Sequence, residues 1–244
     1  MTVIYRSEFT PTDIGRLETL LAPCSQLHSL CLEQLGRSDD VFVERMADAM
    51  SSLLSHFPDL KQLQLYQFPI ATCAAKYQPP HRLERLCLRN CLMMDEEWQM
   101  WASNATTASI KVLWIDLDTL QHSIGKGFIA FIETHARTLT KLRLEIVEPS
   151  LSSVQVKQIA QHLAPFGRLS EFFYKVEKSP ITLEIVQELV QLFLVINSLD
   201  SFILETESRD VKKTRFKKSI NQLIKTVCRT RTRPVGTIWI HHRK

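Results

Sequence analysis

A six-residue pattern, apolar at its first, fourth and sixth positions, recurs along this 244-residue chain and limits the folds open to it. It reads LHSLCL from Leu27, LKQLQL from Leu60, LERLCL from Leu83, IKVLWI from Ile110, LTKLRL from Leu139, LSEFFY from Leu169, LDSFIL from Leu199 and, more loosely, VGTIWI from Val235. The starts are 33, 23, 27, 29, 30, 30 and 36 residues apart, an interval that chance matches to a common apolar pattern would not keep. Each copy predicts a short strand with one buried face.

Apolar residues at helical spacing fill most of the gaps: Val43, Met46, Ala47, Met50 and Leu54 in one, and Val156, Ile159, Ala160 and Leu163 in another. Further helices are expected at about 124–135, 182–196 and 211–228. The stretch Phe68 to Arg82 is the exception, because Pro69 and the pair Pro79-Pro80 deny a helix and predict an extended return. A strand-loop-helix unit cannot bury its apolar face alone. Neighbouring units must stack, pairing their strands in parallel and placing the helices on one side. VIYRSEF, near the start, predicts a further strand capping the stack.

LERLCLRNCLMMDEE resembles the leucine-rich repeat unit of the ribonuclease-inhibitor-like type found behind F-boxes. Leu83, Leu86 and Leu88 take its core positions, Cys91 its asparagine/cysteine position, and Met94-Asp95-Glu96 open its helix. The resemblance runs from about Leu27 to Ile240. It implies an α/β solenoid, a curved horseshoe of about eight irregular repeats with parallel strands on the concave face and helices on the convex face. Elsewhere the ninth position holds Leu35, Phe68, Asp118 or Val147, so most of the family's hydrogen-bonding ladder at that position is missing. The expected organisation is one domain over 1–244: an N-terminal cap at 1–26, repeats at 27–208, and a basic helix with the last strand at 209–244. The fourth positions, Leu30, Leu63, Leu86, Leu113, Leu142, Phe172, Phe202 and Ile238, are expected to form a buried column.

With 45% apolar residues, 6 glycines and 10 prolines, the chain can bury a full core. It has neither the apolar run a membrane span requires nor, in MTVIYRSEFTPTD, a signal peptide, which predicts an intracellular protein, cytoplasmic or nuclear. The six cysteines form no CxxC pair and read as reduced thiols. Asn104 to Thr106 matches a glycosylation acceptor by chance.

Catalytic chemistry is not visible. The eight histidines show no HExxH spacing and no nucleophile partner in a recognisable motif, so the chain reads as a non-enzyme without cofactor or metal. SIGKGF, Ser123 to Phe128, places glycines and a lysine before a helix where a phosphate can bind, but it lacks the full P-loop and reads as a plain helix start. His241 and His242 are adjacent on a strand and point to opposite faces, against a shared metal ion.

Binding residues are therefore sought among the third, fifth and seventh motif positions, which project away from the leucines. They include Tyr66, Arg85, Arg89, Trp114, Asp116, Arg143, Phe173 and Lys175. Aromatic residues flanked by charges suit a protein interface, with Trp114 and Phe173 as its centre and Arg85, Arg143 and Tyr66 around them. The alternative is that a long loop covers Trp114, or a C-terminal cap covers Trp239, making them ordinary core. From Arg209 to Lys244 twelve Lys/Arg face one acid, Asp210, giving +11, so residues 1–208 carry −7 of the total of +4. Lys212, Lys213, Arg215, Lys217, Lys218 and Lys225 form a basic patch that suits nucleic acid or an anionic membrane surface, or is the wet face of a last helix. The expected function is protein recognition by a monomeric scaffold, with nucleic-acid or membrane-surface binding through the tail as the alternative. The resemblance implies the substrate-receptor part of an F-box-type ubiquitin ligase, although no F-box is visible in the residues before Leu27.

Overall fold

The computed structural model describes residues 1–24, 26–35, 40–68, 80–91, 95–104, 109–119, 125–148, 151–164, 168–177, 181–206, 214–230 and 236–242. Strands and helices alternate through these residues in two compact units. The first unit runs to Leu117 and also holds the helix ending at His135. Its elements are β1 (Thr2–Ser7), α1 (Pro11–Leu21), β2 (Ser29–Gln34), α2 (Asp40–Ser55), β3 (Gln62–Tyr66), β4 (Arg85–Arg89), α3 (Asp95–Asn104), β5 (Val112–Thr119) and α4 (Lys126–His135). From Ala136 onward the second unit contains β6 (Lys141–Glu148), α5 (Ser153–Leu163), β7 (Glu171–Val176), α6 (Leu183–Val195), β8 (Ser201–Thr206), α7 (Thr214–Thr230) and β9 (Thr237–His242).

Within each unit every strand pairs in parallel with its neighbour in the chain. In the first, Leu30, Leu63, Leu86 and Leu113 stand opposite one another, each at most 1% exposed. In the second, Leu142, Phe172 and Phe202 align in the same way and are equally buried. Ile238 continues their register but is only half-buried, contrary to the expected column. The reason is its position on the last strand: β9 hydrogen-bonds β8 on one side, and no described strand follows on the other. The pattern of buried and half-buried residues alternates along β3 and β8, so the sheet has one covered face and one wetter face.

The helices cover the leucine face with residues three and four apart. Met46, Met50, Leu53 and Leu54 are buried on α2, and Val156, Ile159, Ala160 and Leu163 on α5. Trp98 and Trp101 on α3 meet Phe128, Phe131 and His135 on α4 in a buried aromatic cluster with centroid separations of 4.6 to 6.2 Å between contacting rings. Reciprocal capping starts two of the helices. Thr10 and Asp13 exchange backbone and side-chain hydrogen bonds ahead of α1, and Ser152 and Gln155 do so ahead of α5. No described helix is long and apolar enough to cross a membrane. Pro69 and Pro79, with the return path expected between Phe68 and Arg82, lie mostly outside the described residues, as do Cys73 and the whole of Ala105–Ala108.

Candidate functional site

At the end of β3 and again at the end of β4 the chain turns through a left-handed residue, Gln67 at φ 59° and Asn90 at φ 51°. Asparagine tolerates that conformation better than most residues. The turn aims each backbone N–H across to the next strand: Gln67 donates to the Arg89 carbonyl at 2.7 Å, and Asn90 to the Asp116 carbonyl at 2.8 Å. Cys91 follows, and its Sγ donates back to the Leu65 carbonyl at 3.3 Å. Burial pushes that thiol up to about 12, well beyond the range in which a thiolate forms. Part of the hydrogen-bonding ladder is thus carried by the backbone at the eighth position, where the side-chain pattern gave no sign of it.

These turns fix the outward side chains of the first unit in register. Arg6, Glu33, Tyr66, Arg89 and Asp116 occupy corresponding positions on β1 to β5, a row spanning about 19 Å at the usual strand spacing of about 4.8 Å. Arg6 Nε lies 2.7 Å from Glu33 Oε2, and Arg89 Nε lies 3.0 Å from Asp116 Oδ2. The Arg89 guanidinium carbon lies 5.1 Å from the centroid of the Tyr66 ring and 5.1 Å from that of the Trp114 ring. Burial acts against the charge on Arg89, but hydrogen bonds to Asp116 and Tyr66 outweigh it and raise its pKa further. Tyr66 is also shifted upward, chiefly by burial, and its hydroxyl donates to Gln64 at 3.2 Å. Arg6, Glu33, Tyr66, Gln67, Arg89 and Asn90 line a polar recess of about 210 Å³. Trp114 is half-buried beside the row, and Arg85 is exposed at the start of β4.

The second unit carries a cluster of its own. Arg143 Nε lies 2.6 Å from Glu145 Oε1, and its guanidinium sits 4.0 Å from the Phe173 centroid. Lys175 bridges Glu145, at 3.2 Å, and Glu177. Phe173 was expected to face solvent, but it is 6% exposed because Arg143 lies over its ring. Lys175 has a side chain only 14% exposed, so it holds this network together and offers little surface of its own. Burial opposes the charge on Glu145, yet Arg143 and Lys175 more than offset this and lower its pKa.

The glycine-lysine loop before α4 already holds an anion from its own chain. Asp95 Oδ1 accepts from the N–H groups of Gly125 at 3.0 Å, Gly127 at 2.9 Å and Phe128 at 3.1 Å, filling the place a phosphate would take. Of the basic patch, Lys217, Lys218 and Lys225 are exposed on α7, and Arg215 lies on the same helix with its side chain outside the described part. Lys212 and Lys213 lie outside the described residues, and so do the side chains of His241 and His242. Arg6 was not found in the sequence because β1 was not aligned with the repeats; placing Val3 opposite Leu30 puts Arg6 at the seventh position, where Glu33 already stands in the repeat from Leu27. No family model matches the sequence, and no curated protein matches it either.

Proposed function

We propose that the chain is a non-catalytic leucine-rich repeat scaffold that binds another protein through its wetter strand face, the concave face of a horseshoe of that kind. The observation that carries this reading is Arg89, fixed by Asp116 and lying over both Tyr66 and Trp114. Tryptophan, tyrosine and arginine supply much of the energy at protein interfaces, and here all three are held in place before any partner arrives, which reduces the entropy lost on binding. The polar recess beside them gives a partner's side chain a place to enter. The resemblance to the repeats found behind F-boxes implies the substrate-receptor part of a ubiquitin ligase, with recruitment left to another segment or partner.

Quantitative affinity capture with wild-type, Arg89→Ala and Trp114→Ala proteins tests the site. A partner recovered by the wild-type protein should bind each variant at least about 2 kcal/mol more weakly, roughly 30-fold. The melting temperatures should stay close to that of the wild type, because Arg89 and Trp114 lie outside the leucine core. A partner that binds both folded variants as well as the wild-type protein would rule this cluster out as the contact.

A further inference from the structure

The second unit ends in an apolar layer that its described residues leave partly uncovered. Phe202 and Leu204 on β8 are fully buried, whereas their register partners on β9, Ile238 and Ile240, are only half-buried. Above them, α7 buries Ile220 and Val227 but leaves Leu223 and Ile224 half-exposed. Between helix and strand lies a cavity of about 340 Å³, lined by Lys217, Ile220, Asn221, Ile224 and the β9 residues Ile238 to Ile240. Thr237 donates its N–H to the Asp200 carbonyl, toward β8. By the two-residue alternation of a strand, the N–H groups of Ile238 and Ile240 point to the opposite edge, where no described strand lies.

We propose that this end of the unit binds an acidic, alternating apolar peptide segment of a partner protein, which adds to the edge of β9 as a further strand. Its backbone would take up the outward hydrogen bonds of β9, and its apolar side chains, two residues apart, would lie over Ile238, Ile240 and Ile224. The acidic requirement comes from the surrounding charge. Lys217 lines the cavity, Lys218, Lys225 and Arg229 are exposed elsewhere on α7, the helix carries no acidic residue, and the whole of 209–244 has a charge of +11. The same charge disfavours a second copy placed end to end on this edge, since two strongly positive surfaces would meet. The recess, with a backbone edge beyond which no described strand lies, complements a strand. A phosphate backbone or lipid headgroup needs neither, and a membrane-binding helix presents a projecting apolar face where this one is set back in a groove. The Arg89 cluster is built from residues of the first unit and this groove from residues of the second, so the two tests change different residues.

The test is fluorescence anisotropy with the full chain and a labelled seven-residue peptide of alternating valine and glutamate. Saturable binding is expected. It should fall at least about tenfold when alternate peptide nitrogens are methylated, when glutamate replaces Ile240, or when Lys217 and Lys225 are both changed to Glu. Peptide methylation leaves the protein unaltered, so its effect is independent of any folding defect in the variants. Binding of polyglutamate as tight as that of the alternating peptide, or no effect of methylation, would reduce the interaction to charge alone and overturn the proposal. So would the absence of saturable binding. Tighter binding to a single-stranded oligonucleotide or to phosphatidylserine vesicles, lost in the Lys217→Glu, Lys225→Glu variant, would assign the surface to polyanions. Self-association in sedimentation that Ile240→Glu abolishes would assign the edge to a second copy.

Discussion

Asp95 shows how much one side chain can settle. One carboxylate oxygen, Oδ1, accepts three N–H groups that the start of α4 would otherwise leave without helical partners, and its charge complements the helix dipole. Asp95→Ala should cost about 1 to 3 kcal/mol, read as a lower urea midpoint with an unchanged slope. Gly127→Ala should destabilise by a different route, because a Cβ there would overlap the backbone carbonyl of Asp95. Glu145 makes a pH-dependent contribution. Its carboxyl titrates lower in the folded protein than in the unfolded chain, so the stabilisation is complete above the ordinary glutamate range and is lost as pH falls through the folded value. Urea midpoints measured from pH 7 down to pH 3 should therefore fall less steeply for Glu145→Gln than for the wild-type protein. Equal slopes would mean that another carboxylate dominates the acid limb.

At the scale of the elements, the strands were readable because each makes the same demand in six residues: inward apolar groups at fixed places and polar ones between. The motif starting at Leu83 became β4, Arg85–Arg89, and the one starting at Leu169 became β7, Glu171–Val176. The helices followed from their apolar spacing, as with Ile185, Leu189 and Leu192 on α6. The relations across strands were not readable. Arg143 covers Phe173, and Asp95 caps α4, across separations of about thirty residues that become contacts only through packing. Ile238 differs from its counterparts for a related reason: the motif specifies which way a residue points, and not whether anything lies beyond it. Leu86→Ala should accordingly cost about 2 to 5 kcal/mol, while Ile238→Ala, on a half-covered strand, should cost clearly less in the same denaturation measurement.

At the scale of the whole molecule, β1 and β9 each have only one neighbour among the described strands, and their composition differs. β1 leaves Ile4 73% and Tyr5 46% exposed, and β9 leaves Trp239 64% exposed. Strands paired on both sides are expected to hold their amide protons longer. Hydrogen exchange followed by mass spectrometry should show β1 and β9 exchanging before β3 and β7, and similar protection in all four would contradict the edge assignment. Charge is divided as unevenly as coverage, with −7 over residues 1–208 and +11 over the last segment. The in-register partners also have a bearing on descent. Leu30, Leu63, Leu86 and Leu113 stand opposite one another although 33, 23 and 27 residues separate them, and Phe202 and Ile238 do so across 36. Such differences in length are taken up in the connections, away from the paired strands. Over evolutionary time, insertions and deletions can therefore accumulate between strands while the outward row from Arg6 to Asp116 keeps its order and spacing, so that face can be inherited separately from the lengths of the segments that join it.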